Sequence, residues 1–335
     1  MNSQRRCVNA GLALWCAGLL LPAATQAQTP QQPSQLVFGL ISPRAEQETR
    51  ANWTPFVKRL GVAVSRPFEL RVYASQGELV KAFLAGEIDL AWMGNVPALE
   101  VVTASAGSVF AQMVTKDGSV GYKSVLVVHR DAPVHALQAV IDKAASLRFG
   151  DGDPQSTSGH LVPLYFAFHK NGVNSPAAIF KSVEIGSHQQ NLQKVAKKAL
   201  DVATANSEEL LFFQRDFPAL AKDVEVIWES PLIPQSPLLW KATLPEALKK
   251  SIQKFVVDFG AANPEEKRIL LSVNGLSRFR ASSNRQLVPV ADLEMFKTRQ
   301  AINNDTSLSF NDRQARIGQA IDKGSRLELR LKLIP

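Results

Sequence analysis

The stretch Gly150 to Pro163 reads GDGDPQSTSGHLVP, and Ser156, Thr157 and Ser158 place three hydroxyls in a row within it. A hydroxyl both donates and accepts, and its hydrogen rotates to suit a tetrahedral oxygen. Here the three follow an Asp-Pro turn and precede an apolar run, which is where a helix starts. A helix start carries unpaired backbone N–H groups and the positive end of the helix dipole, so it favours an anion. The hydroxyls also have a local use, because Ser156 as an N-cap is worth about 1 kcal/mol. Taken alone, the triplet leaves both readings open.

Two other junctions share this character. WMGNVPAL puts Gly94 and Asn95 after an apolar strand, with Pro97 near the first helical turn. IGSHQQNL puts Ser187 and His188 at a helix start, where the imidazole can donate to an oxyanion. Three strand-to-helix junctions with small polar residues can converge on one cleft. The remaining histidines, His129, His135, His160 and His169, read as structural. Arg44, Glu46 and Glu48, just after the first strand, read as a solvated helix start, the alternative being that they line a pocket.

The elements that must position these residues alternate. LVFGLIS (Leu36 to Ser42), FELRVY and IDLAWM read as strands, with amphipathic helices between them, the first over Glu46 to Leu60 and stopped by Gly61. KSVLVVHR, SLRFGD, FKSVEIG, DVATAN and VEVIWES continue the strands, and SGHLVPLYFAFHKNG reads as a helix ending at Gly172. Strand–helix alternation predicts an α/β fold with mainly parallel sheets covered by helices on both faces. In such sheets ligands sit beyond the carboxyl ends of the strands. The length predicts two lobes: 35–120 and 231–290 in the first, 121–230 in the second, and a helical tail over 291–335. The chain crosses between lobes near Lys116 to Lys123 and again at Pro231 to Trp240. The second crossing contains Pro231, Pro234 and Pro237, and reads as extended chain that resists a central strand position. The tail packs across the back of the protein or serves a homodimer.

Residues 1–27 read as a secretory signal peptide. Arg5 and Arg6 precede a short apolar run, and small residues lead to cleavage before Gln28. Both cysteines, Cys7 and Cys16, fall inside it, so the mature chain needs no disulfide. The net charge of +8 becomes +6 once Arg5 and Arg6 leave. Basic residues are interspersed with acids, and no stripe argues for nucleic acid. No His-Glu-x-x-His, cysteine cluster or G-x-S-x-G is present, so neither a metal centre nor a serine hydrolase is expected, and no cofactor is implied.

The motifs WTPFVKRLG, DLAWMGN, VFAQMVTKDGSVGYKSVLVV, FGDGDPQSTSGHLVP, DVATANSEEL, VIWESPLIPQSPLLW and FRASSNRQLVPV together resemble the periplasmic phosphonate-binding proteins of phosphonate ABC transporters. The resemblance runs from about Leu36 to Met295. It implies a two-lobed type II periplasmic binding fold that closes on its ligand about a hinge, does no chemistry, and hands a phosphonate to an inner-membrane permease. It further implies that Ser156, Thr157, Ser158 and His188 hold the phosphonate group, and that Glu208 faces an ammonium on the ligand tail. Three tail positions depart from the family's pattern. A tyrosine after the second strand is Ser75, a tyrosine before the Gly-Asn pair is Met93, and a second acid after the Ile-Pro pair is Ser236. The ligand expected is therefore 2-aminoethylphosphonate or a related alkylphosphonate. The alternatives are a phosphite or methylphosphonate binder, and an oxyanion receptor for a sensor kinase.

Overall fold

A computed structural model of the chain describes residues 35–333 apart from Pro43; the signal peptide lies outside the described residues. Leu36 to Ile41 form β1, a run whose Phe38 and Leu40 are wholly buried. Helix α1 (Glu46–Ala63) follows, then β2 (Phe68–Tyr73), α2 (Gln76–Leu84), β3 (Leu90–Trp92), α3 (Asn95–Thr103) and β4 (Gly107–Thr115). The first helix runs past Gly61 instead of stopping there. A Cβ at Gly61 would lie 2.9 Å from the Arg66 carbonyl oxygen, so this glycine permits a close backbone approach.

The chain then crosses through β5 (Gly121–Tyr122) into a second sheet. There β6 (Ser124–His129), α4 (Leu137–Lys143) and β7 (Arg148–Asp151) lead to a helical segment wound in wide turns over Thr157–Leu161 and Leu164–Phe168. That segment ends at Gly172, whose φ of 82° lies in the left-handed region. Helix α5 (Pro176–Ile179), β8 (Ser182–Ile185), α6 (His188–Ala196), β9 (Val202–Asn206), α7 (Ser207–Asp216), α8 (Pro218–Ala221) and β10 (Val224–Glu229) complete this half. The return passes through β11 (Ile233–Pro234) to β12 (Pro237–Lys241), α9 (Glu246–Asp258), α10 (Pro264–Asn274), β13 (Leu276–Ala281), α11 (Val288–Asn304) and α12 (Phe310–Leu333).

The six-stranded sheet has the order β13-β4-β12-β3-β1-β2, and the five-stranded sheet β10-β6-β9-β7-β8. The crossing strands β5 and β11 pair with each other, Ile233 opposite Tyr122, and form a two-stranded ribbon between the halves. Parallel pairing holds where strand–helix–strand units supply it: β2, β1 and β3 in one sheet, β8, β7 and β9 in the other. The strands next to the crossings, β4 and β12 in one sheet and β6 and β10 in the other, make antiparallel pairs, as β13 does with β4, so each sheet is mixed. Contrary to the sequence expectation, Pro237 to Trp240 belong to a central strand, between β3 and β4. Pro237 is tolerated because it is the first residue of β12, where a missing N–H costs least.

Each sheet is covered on both faces, which explains why its strands read as continuous apolar runs. In β6, Leu126 and Val128 join one core cluster, and Val125 and Val127 join another. The first sheet centres on an aromatic cluster. Trp53 of α1 meets Trp92 at 5.3 Å, Phe38 at 5.7 Å and Phe56 at 5.8 Å between ring centroids. Trp53→Ala is expected to cost about 3–5 kcal/mol. The loss should appear as a lower urea midpoint at unchanged slope, and a loss under about 1 kcal/mol would refute this role.

The tail packs on its own chain. Val290, Ala291 and Leu331 enter the core of the first sheet. Phe296 lies 4.6 Å from the Tyr165 ring and 4.3 Å from His169. Arg330 donates to the carbonyls of Val102 and Thr103 at the end of α3.

Candidate functional site

The carboxyl ends of β1, β2 and β3 face those of β7, β8 and β9 across a cleft of about 480 Å³. Helix starts line it from both sides. The first sheet brings Gly94 and Gln76, and the second brings Ser156, Thr157 and Ser158, then Ser187 and His188. Ser187 closes its helix start with a capping box to Gln190, which fixes His188 as the first residue of α6.

The three hydroxyls have separate tasks. Ser156 Oγ accepts from Gly159 N at 3.0 Å and caps the wide-turn segment. Thr157 Oγ1 accepts from Val96 N at 3.0 Å, so the start of α3 in one half donates to a hydroxyl of the other. Ser158 Oγ lies 3.2 Å from His188 Nε2 and receives Asn206 Nδ2 at 3.4 Å. Thr157 and Ser158 are both almost fully buried. The loop beneath them is tight: Gly152 N donates to the Gly159 carbonyl at 3.1 Å, and Gln155 N donates to Asp153 Oδ1 at 2.7 Å.

Burial sets the charge states. The His188 imidazole is held down to about 4 by desolvation, so it is neutral at pH 7. The Glu208 carboxyl is pushed up to about 7, first by burial and then by the neighbouring Glu209 charge, against a bond from Gln235 Nε2 at 2.9 Å. The Tyr122 phenol is raised, chiefly by burial, while side-chain hydrogen bonds with Ser158 and Ser236 oppose the rise. Among the described residues, His188 Nδ1 and Trp92 Nε1 are buried polar atoms without a partner. Both side chains line the cleft. Orphaned polar atoms beside a cavity are where an incoming ligand recovers hydrogen bonds. Neutral hydroxyls, helix N–H groups and a neutral imidazole suit a tetrahedral oxyanion, and the half-buried Glu208 carboxyl in the same cleft suits a cation.

Of the eight site positions that the resemblance implied, six line this cleft: Ser156, Thr157, Ser158, His188, Glu208 and Ser236. Ser75 and Met93 do not. The Ser75 hydroxyl accepts from Glu78 N and caps α2, and Met93 is wholly buried in the first core. Their chain neighbours Gln76, Trp92 and Gly94 face the cavity instead. Arg44 is not solvated: its side chain is 4% exposed and paired with Glu209, itself 5% exposed. Tyr122 and Asn206 also line the cleft and were not singled out. Tyr122 stands in the quoted motif GSVGYKSV, but nothing local shows that the crossing ribbon turns its ring inward.

Known proteins resemble this chain in sequence and in fold. A family model described as ABC transporter, phosphonate, periplasmic substrate-binding protein matches residues 38–287. The phosphonates-binding periplasmic protein of Escherichia coli (strain K12) is 40% identical over 311 residues, covering 92% of this chain and 90% of that protein. A solved binding protein component of a phosphonate ABC transporter from Pseudomonas aeruginosa matches with a TM-score of 0.82 at 35% identity, over 90% of this chain and 99% of that one. The PhnD1 protein of Prochlorococcus marinus (MIT 9301), solved with methylphosphonate, shares the fold with a TM-score of 0.70 at 21% identity, over 78% of this chain and 98% of that one.

Proposed function

Because the chain belongs to the periplasmic substrate-binding proteins of phosphonate ABC transporters, we propose that its ligand is an aminoalkylphosphonate of the size of 2-aminoethylphosphonate, released to an inner-membrane permease. The chain is a binding component and not an enzyme, and it works in the periplasm. The observation that carries the ligand reading is one cavity lined by Ser156, Thr157, Ser158 and His188 together with the acid Glu208, whose carboxyl is pushed up to about 7 chiefly by desolvation. In this reading the phosphonate oxygens take the hydroxyls and the N–H groups of facing helix starts, and His188 donates to them. Glu208 ionises against the ligand ammonium, a charge-assisted contact of the strong kind. Ser236 and Tyr122 flank the tail.

Ser236 supplies no second negative charge beside Glu208, and this favours a competing reading with a small uncharged tail, as in methylphosphonate or phosphite. Titration calorimetry separates the two. Ligand-stripped mature protein should bind 2-aminoethylphosphonate with a Kd of about 1 μM or tighter, a free energy of about −8 kcal/mol. Methylphosphonate, phosphite and phosphate should bind more weakly. Equal or tighter binding of methylphosphonate would overturn the aminoalkyl reading in favour of the small-ligand one.

A further inference from the structure

Several contacts cross from elements of the first sheet to elements of the second. Val96 N reaches Thr157 Oγ1, and Gln155 Nε2 reaches Glu100 Oε2 at 3.0 Å. One crossing differs in kind, because it buries two opposite charges. Arg44, between β1 and α1, donates from Nε and Nη2 to the two carboxylate oxygens of Glu209 on α7, at 3.3 and 3.2 Å. The same Nη2 reaches Asn274 Oδ1 at 3.0 Å, and Nη1 reaches Glu48 Oε1 at 3.5 Å. The guanidinium lies over the Phe212 ring, 3.5 Å from its centroid. All three guanidinium nitrogens therefore have a protein partner, although Arg44 lines the cleft.

We propose that the Arg44–Glu209 pair is a latch between the lobes, which sets how far the closed form is populated and so scales affinity for every ligand alike. The inference rests on the phosphonate reading only for its choice of probes. Arg44 and Asn274 belong to the first half, Glu209 and Phe212 to the second. A buried ion pair is strongly destabilised when one partner is removed, because the other charge stays buried and uncompensated. Separation of the lobes breaks this pair and rehydrates both groups. Removing one charge while the lobes stay shut leaves the other stranded, so the closed form is the one that suffers.

The latch is wired to the ligand cradle through one side chain. Asn206 Oδ1 accepts from Glu209 N at 2.8 Å, while its Nδ2 faces Ser158 Oγ at 3.4 Å. Order imposed on Ser158 is thereby passed to the first turn of α7, which carries Glu209. By linkage the coupling is mutual: ligand favours the latch, and the latch favours ligand. A protein whose competent state is only partly populated binds with an affinity reduced by that fraction.

The test uses Arg44→Met, Glu209→Gln and the double variant of the mature protein. The second variant keeps side-chain size and shape should the first fail to fold. Unliganded small-angle scattering should show a larger radius of gyration in each single variant than in the native protein. Titration should show 2-aminoethylphosphonate and methylphosphonate weakened by the same factor, about tenfold, and a double variant far less weakened than the product of the two singles. Unequal weakening of the two ligands would mean that Arg44 acts on the tail through Glu208, and would overturn the latch. So would unchanged scattering with unchanged affinity. Native protein that binds neither phosphonate would instead sink the ligand reading, while the scattering comparison would still judge the latch.

Discussion

Gly152→Ala is expected to weaken phosphonate binding at least about a hundredfold, the loss of one or two charge-assisted hydrogen bonds, in a protein that still folds. A Cβ at Gly152 would sit 2.6 Å from Gly159 Cα, 2.7 Å from its carbonyl carbon and 2.8 Å from its oxygen. Both sides of this contact are backbone, so no side chain can swing away. The loop must part, and what parts is the cradle. Gly159 N is the donor to Ser156 Oγ, and the Cβ position of Gly159 already lies 3.2 Å from His188 Cε1. Moving Gly159 displaces the cap, the three hydroxyls and the imidazole together. The stability cost should be that of an overpacked site, about 1–3 kcal/mol. Calorimetry alongside a thermal melt checks the expectation: near-native affinity in a folded Gly152→Ala protein would place the phosphonate group somewhere else.

The second large effect is selective. Glu208→Gln should cost 2-aminoethylphosphonate about 10- to 100-fold in affinity, the value of a hydrogen bond between charged groups. Methylphosphonate, which has no ammonium, should change by less than about threefold. The pH dependence follows from the same carboxyl. Unliganded Glu208 holds its proton up to about pH 7, whereas pairing with an ammonium needs the carboxylate. Below pH 7 the aminated ligand must therefore displace a proton, and its affinity should fall about tenfold per pH unit. The methylphosphonate titration corrects for ionisation of the phosphonate group itself. Parallel curves for the two ligands from pH 5 to 8 would remove Glu208 from the tail contact.

Global stability would be a poor reporter of this group. Glu208, raised from 4.5 to about 7, contributes stability fully below pH 4.5, and the contribution is lost as pH rises through 7. His188, lowered from 6.5 to about 4, contributes fully above pH 6.5, and its contribution is lost as pH falls through 4. Between pH 4.5 and 6.5 the two slopes oppose each other. Ligand linkage isolates the carboxyl where a denaturation curve mixes it with the imidazole.

Much of this was legible in the sequence because it is local. The alternation that builds β1 to β3 and β7 to β9 shows in apolar runs punctuated by helix starts. Ser156, Ser187 and His188 show in the residues that begin helices. What stayed hidden depends on partners far along the chain. The burial of Arg44 is created by Glu209, 165 residues away. In the chain, Met93 adjoins the Gly-Asn pair and Trp92 stands one residue further off, yet the fold buries Met93 and turns Trp92 to the cleft. Pro237 looked hostile to a sheet until its place at the head of β12 was known.

The strand order has a consequence for how such a chain comes into being. β12 lies between β3 and β4, yet it leaves the ribosome only after the whole of β5 to β11. Until then the first sheet cannot close, and the facing edges of β3 and β4 remain open to other pairings. The second lobe has no such debt, since all five of its strands are contiguous in the chain. Folding should therefore begin in the middle and finish at the ends, with the inserted lobe completed before its host.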